Sequence, residues 1–373
     1  MCSKEFRVLH ILDHLSPASG VASVVMNYVI GIPKIKQDIA IYGQCDAAMR
    51  AQIEACGGKI YKLPDVTKSF GRHFSEELSK LLRTGPHTII HGHLINSAFI
   101  YLCLAKKAGV PHRIIHSHSS VSADVFYKKI RNNMLAKLIP PYATDYIAVS
   151  ELAAQNAFGK SLMNLSIIHN GIDTNRFSFN PDVRREVRQE LGLSEETLCV
   201  GHVARLVGLK NQEFLLNVFQ KMHDRENCTL IIAGDGPMEG LLKEHVKAMG
   251  LADNVQFLGQ RNDAHRLYQA FDVFLLPSLS EGFGLSVVEA QCAGLPCVVS
   301  EHVPQTVKCS ANIRFLPLGN AQIWADTALG MSKIPRKDGA DAVTSAKLDS
   351  GAMCDKVKNI YQSMRTELYE QPY

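Results

Sequence analysis

The chain of 373 residues is 46% hydrophobic and 20% charged, with a net charge of +4; this is a soluble globular composition, long enough for two domains and free of low-complexity runs. No apolar stretch approaches the ~18 residues that a membrane span needs, and ten cysteines with no C-x-x-C pair speak against a disulfide framework. Residues 1–173 carry 19 Lys+Arg against 12 Asp+Glu, a net +7, and the remainder 21 against 24, a net −3; a mildly basic first half suits an anionic ligand or membrane surface and is too weak to argue for nucleic acid.

In chain order, "MCSKEFRVLHILD" has an apolar core too short for a signal peptide and reads as a first strand, which makes a cytoplasmic protein the expectation. Further strands are expected at 37–43, 59–63, 87–93, 112–118, 145–150 and 165–170, with helix-length segments between them. One of these, "SAFIYLCLAKKAG" (97–109), ends on Gly109 as a helix C-terminus should. The pattern restarts at 197–206, 228–236, 254–260, 272–278 and 296–300. Strands that are nearly continuous in Val, Ile and Leu and alternate with helices indicate parallel sheets covered on both faces. The turn-rich "HNGIDTNRFSFNP" (169–181) marks the break. The expected fold is α/β: two Rossmann-like doubly wound domains, 1–172 and 173–352, with an interdomain cleft and the final helix 353–371 returning to the first domain. Ligands in such sheets gather at the carboxyl ends of the strands.

Two H-x-H pairs, "HGH" (91–93) and "HSH" (116–118), fall at such ends. Residues i and i+2 share a strand face, so each pair offers two ligands. Cys and carboxylate partners at useful spacing are missing and no D-x-D motif accompanies them, so no metal is expected. In "GHVARLVGLKNQ", Arg205 and Lys210 can point into one concavity and neutralise a diphosphate; a solvated basic loop is the bland alternative. In "SEGFGLSVVEAQCAGLPCVVS" (280–300), a turn with Gly282 and Gly284 leads into a helix near Leu285 whose free N–H groups suit phosphate. Glu281 and Glu289 bracket that turn, and carboxylates there suit sugar or ribose hydroxyls.

The E-x7-E after "SEGFG", the R-x4-K pair, "AGDGP" (233–237) and "NGID" (170–173) together resemble the family-4 retaining glycosyltransferases of the GT-B fold, over nearly the whole chain and in the right order. The segment 312–328 resembles the exopolysaccharide and capsule-assembly members. The resemblance implies that Arg205 and Lys210 hold the diphosphate of a nucleotide-sugar, Glu289 the ribose and Glu281 the donor sugar. Gly282, Phe283, Gly284 and Leu285 would line sugar and phosphate, Gln260 and Arg261 would neighbour the base, and Gly20 would bring a second helix N-terminus to the phosphates. His118 is the implied reaction-centre histidine, with His116 second and His91 a core residue. Also implied are a uridine diphosphate leaving group and retention by front-face attack without a metal or other cofactor. The helix expected over 124–139 combines apolar i+4 spacing with lysines, which fits either an anionic membrane surface beside a lipid-linked saccharide acceptor or an ordinary core-facing helix. A nucleotide-sugar 2-epimerase and a non-catalytic nucleotide-sugar-binding subunit stay open as alternatives.

Overall fold

The computed structural model describes residues 6–17, 19–118, 135–159 and 163–369. The chain forms two compact units, 1–170 with 350–373, and 171–349.

The first unit is built on seven parallel strands: β1 (Arg7–Leu12), β2 (Lys36–Ile41), β3 (Ile60–Lys62), β4 (Ile89–Gly92), β5 (His112–Ser117), β6 (Asp145–Ala148) and β7 (Leu165–Ile167), in the order β3-β2-β1-β4-β5-β6-β7. β1 is buried along its whole length, which explains why it reads as an unbroken apolar run rather than an alternating one. Helices cover the sheet through stripes at i+4 spacing, such as Phe74, Leu78 and Leu82 of the helix Arg72–Thr84. The last helix, Ser350–Tyr369, belongs to this unit. Its Met353, Val357, Tyr361 and Met364 join Val8, Val24, Tyr28, Ile89 and Ile114 in one core, each buried aliphatic contributing roughly 1.5–3 kcal/mol.

At the amino end of these strands lies a buried polar knot. Arg7 donates to both Asp38 carboxylate oxygens at 2.7 Å, His87 Nε2 lies 2.8 Å from Oδ2, and the Lys59 amide donates to Oδ1 at 2.8 Å. Burial alone would raise the Asp38 carboxyl; the bonds from His87, Arg7 and the Lys59 amide hold it down at about 2.

The second unit carries β8 (Leu198–Val203), β9 (Cys228–Ala233), β10 (Val255–Phe257), β11 (Val273–Leu276), β12 (Cys297–Ser300) and β13 (Ile313–Leu316), in the order β10-β9-β8-β11-β12-β13 and again parallel. β13 was not among the expected strands: "IRFL" is short, and only Ile313 is fully buried. The order reverses between β8 and β11, as it does between β1 and β4, and the loops that leave those strands are where doubly wound sheets take ligands. Among the described residues no helix is long and apolar enough to cross a membrane. The expected helix over 124–139 lies, up to residue 134, outside the described residues; within the rest, Leu138 is exposed and Ile139 is buried in the core around Tyr101.

Candidate active site

The loops after β8 and β11 meet directly. The Leu279 amide donates to the Leu209 carbonyl at 2.8 Å, and Lys210 Nζ lies 2.5 Å from Glu281 Oε1, which also accepts from Ser278 Oγ at 2.8 Å. Two residues expected on opposite parts of a ligand are therefore ion-paired with each other. Arg205 stays exposed, and among the described residues its guanidinium has no ion-pair partner.

Backbone contacts fix where Arg205 leaves the sheet. Gly234 and Gly236 of "AGDGP" have φ of +138° and +156°, and a Cβ on them would meet the Ala204 and Leu206 carbonyl oxygens at 2.0 and 2.3 Å. Only glycine allows the loop after β9 to press against the Arg205 loop. From beneath, Gln212 donates to the Arg205 carbonyl at 2.9 Å and lies 3.3 Å from His202 Nε2, while His202 Nδ1 donates to the Leu275 carbonyl at 2.9 Å. His202 is wholly buried, and burial pushes it down to about 4, so it serves here as a neutral brace.

The turn 282–284 runs into the helix Leu285–Cys292, which starts on Gly284 at φ +96° with no side chain capping its first N–H groups. An uncapped helix start at a switch-point loop is an anion site in waiting. Glu289, one turn in, is half-buried, and its Oε2 accepts from the Tyr268 hydroxyl at 2.7 Å. Burial raises the Glu289 carboxyl, and the Tyr268 bond and the nearby charge of Arg176 offset part of that rise. Tyr268 itself is held by Arg336, which donates to the carbonyls of Tyr268, Gln269 and Phe271 at the end of the helix Ala264–Ala270. Gln260 is exposed, while Arg261 is locked in a two-pronged pair with Asp263 at 2.7 Å. Whatever Arg261 does for a ligand, it does with Asp263 attached.

Gly20 opens the helix Gly20–Gly31, and Ser19 caps it, its side chain accepting from the Ala22 amide at 3.3 Å. One of the N–H groups expected to meet a phosphate is thus already engaged.

At the carboxyl ends of β4 and β5 the two H-x-H pairs merge with His10 of β1 into a group of five imidazoles. His10 Nδ1 lies 3.0 Å from His93 Nε2, and His93 Nδ1 lies 2.8 Å from His118 Nε2. His91 Nε2 lies 3.2 Å from His116 Nδ1, and His91 Nδ1 lies 2.6 Å from the Tyr361 hydroxyl. Burial drives all five down: His10 to about 4, His118 to about 3, and His91, His93 and His116 well below the ordinary value. They are neutral at pH 7. Two trios, His10–His91–His93 and His93–His116–His118, bring one nitrogen each within 4.8 Å of the others, so three-histidine metal ligation is sterically open in a way that the pair spacing alone did not reveal. Sequence reasoning missed His10, Gln37, Tyr361, Tyr268 and Gln212 because each acts through another residue and no local motif marks it.

The family described as Glycosyltransferase Family 4 matches residues 19–176, and that described as Glycosyl transferases group 1 matches residues 183–309. The chain is 33% identical over 339 residues to the putative glycosyltransferase EpsF of Bacillus subtilis, covering 88% of each. The chain belongs to the family-4 glycosyltransferases. This glycosyltransferase is also 30% identical, over 60% of each chain, to a UDP-Gal:alpha-D-GlcNAc-diphosphoundecaprenol alpha-1,3-galactosyltransferase of Escherichia coli. Its fold matches that of Anabaena HepE, solved in complex with UDP and glucose, at a TM-score of 0.80 and 20% identity, over 96% of this chain and all of that one. Both units of the glycosyltransferase are thus Rossmann-like domains of the GT-B type, with the motif loops at the switch point of the second.

Proposed function

We propose that this glycosyltransferase moves a sugar from a UDP-sugar to an acceptor hydroxyl with retention of anomeric configuration and without a metal ion, in the assembly of a polysaccharide or glycolipid. The observation that carries the reading is the cluster on the second unit's switch-point loops: an exposed Arg205 with no ion-pair partner among the described residues, the Lys210–Glu281 pair and the uncapped helix start at Gly284. Arg205, Lys210 and the first-turn N–H groups receive the diphosphate and stabilise the charge that grows on it as the glycosidic bond breaks. Two cations in one concavity supply the neutralisation that a bound metal gives elsewhere.

Glu281 orients Lys210 and accepts from a donor-sugar hydroxyl; Glu289, its Oε2 fixed by Tyr268, accepts from the ribose. The strand ends of the first unit present neutral imidazoles. Double displacement wants two carboxyls about 5 Å apart, and the first unit's motifs offer histidines rather than a nucleophilic carboxylate, so in this reading the leaving phosphate oxygen takes the acceptor's proton on the face that it departs from. A UDP-sugar donor is supported by the UDP and UDP-glucose complexes of HepE, and a lipid-linked saccharide acceptor by the diphosphoundecaprenol-linked acceptor of the Escherichia coli relative.

Donor hydrolysis without acceptor, followed by proton NMR with and without EDTA, tests the proposal. UDP-glucose or UDP-galactose should release the α-anomer first, at a rate that EDTA does not change. First release of the β-anomer, or activity that EDTA abolishes, would overturn retention or metal independence respectively.

A further inference from the structure

The five histidines of the first unit form two separate hydrogen-bonded wires, and the residue at the far end of each wire sets its direction. Gln37 Nε2 donates to the Tyr28 carbonyl at 2.8 Å, so Gln37 Oε1 is the atom that faces His10 Nε2 at 2.9 Å. An amide oxygen only accepts, hence His10 carries its proton on Nε2. Neutral His10 then accepts at Nδ1 from His93 Nε2–H, and neutral His93 accepts at Nδ1 from His118 Nε2–H. The wire ends on His118 Nδ1, a buried lone pair with no partner among the described residues.

The second wire starts at Tyr361, a fully buried hydroxyl whose one acceptor among the described residues is His91 Nδ1. Tyr361 therefore donates, His91 Nε2–H donates to His116 Nδ1, and the wire ends on His116 Nε2–H, a buried donor with no partner among the described residues. The His116 and His118 rings stack with centroids 4.0 Å apart.

We propose that Gln37 and Tyr361 act as positioning residues that fix every histidine of the cluster as the Nε2–H tautomer, so that His118 offers an acceptor and His116 a donor to one and the same hydroxyl of the transferred sugar. This inference rests on the reading of His118 as a contact of that sugar. A hydroxyl donates and accepts at once, and it is the group that such a pair selects. Metal ligation through His116 Nε2 would require removing the proton that the Tyr361 wire places there, so metal uptake and the intact wire exclude each other at that atom.

Full-length protein labelled with 15N-histidine, read by long-range 1H–15N NMR at pH 7, tests the tautomers. All five rings should show Nε2–H with Nδ1 unprotonated. Tyr361→Phe should give mixed tautomers at His91 and His116 and leave His10, His93 and His118 unchanged; Gln37→Leu should do the reverse. An Nδ1–H signal at His93, His116 or His118 in the wild type, or wild-type tautomers in both variants, would overturn the proposal. So would stoichiometric uptake of one equivalent of Zn2+ that shifts His93, His116 and His118 together.

Donor analogues test the occupant. At one hydroxyl position the deoxy, deoxyfluoro and O-methyl forms of UDP-glucose should each lower kcat/KM by roughly 30-fold or more, because fluoro and methoxy groups cannot donate. Tolerance of O-methyl at every position would refute the donor–acceptor pair. Turnover of the donor with the wrong tautomers sinks this inference alone; correct tautomers in a protein that turns over no nucleotide-sugar sink the functional reading, and the sugar hydroxyl with it.

Discussion

Arg205 and Lys210 lie five residues apart on one loop, yet they meet different surroundings. Arg205 is exposed and, among the described residues, has no ion-pair partner, so Arg205→Ala should leave stability within ~0.5 kcal/mol of wild type. It should nonetheless lower kcat/KM for the donor about 10–100-fold, the worth of a charge-assisted hydrogen bond of ~1.5–3 kcal/mol. Steady-state kinetics beside a urea melt separates the two effects, and equal loss of stability and activity would contradict the assignment. Tyr268→Phe removes the hydrogen bond to Glu289 Oε2. Burial then raises the Glu289 carboxyl further, and UDP binding measured by titration calorimetry at two pH values should weaken relative to wild type, more so at the lower one. Unchanged affinity at both pH values would detach Glu289 from the ribose. Arg205, Lys210, Glu281 and Glu289 were legible in the sequence because each belongs to a local spacing. Tyr268, Gln212 and His10 were not, because their partners lie 21, 10 and 83 residues away.

At the scale of elements, strand order explains why separate motifs converge. β8 and β11 are neighbours across the switch point, so "ARLVGLK" and "SLSEGFG" leave the sheet side by side although about 70 residues separate them, as the Lys210–Glu281 pair records. Nine of the twelve expected strands were marked by apolar runs that the sheets bury, and those at 59–63, 165–170 and 254–260 survive as the three-residue β3, β7 and β10, which are largely part-buried. β13 escaped because its side chains are only partly buried and its apolar run is brief. Gly284 has a conformational duty that pattern alone cannot show: φ is +96°, and an added Cβ would lie 3.3 Å from Val303 Cγ1. Gly284→Ala should therefore cost about 1 kcal/mol or more of stability. It should also weaken UDP binding more than sugar discrimination, since it displaces the first-turn N–H groups. Calorimetry with UDP and with UDP-glucose makes that comparison, and an equal or greater loss of sugar discrimination would contradict the helix start as the phosphate seat.

For the whole molecule, burying so many neutral imidazoles has a consequence in acid. A histidine whose folded pKa is depressed binds its proton only after unfolding, so the unfolded state binds more protons below pH 6.5 and stability falls as pH drops from there towards about 4. His10, His91, His93, His116 and His118 act together in the first unit, and His202, held at about 4, adds to them in the second. Each contributes up to ~1.4 kcal/mol per pH unit. Asp38 acts lower down. Its stabilisation is full above the ordinary carboxylate value and is lost as pH falls towards about 2. Urea melts between pH 7 and 4.5 should show a steep loss of stability with uptake of several protons on unfolding. A flat profile over that range would mean that the histidines are charged in the folded protein.

The central claim is a metal-free UDP-sugar site on the second unit's switch-point loops. Thermal unfolding with UDP, GDP and ADP, each with and without EDTA, on wild type and Arg205→Ala, tests it most directly. A ligand at 100 times its Kd stabilises by about 2.7 kcal/mol, a shift of several degrees. The account predicts a rise in Tm with UDP that EDTA leaves intact and Arg205→Ala largely removes. No rise with any nucleotide, a rise that EDTA abolishes, or a rise indifferent to Arg205 would contradict it.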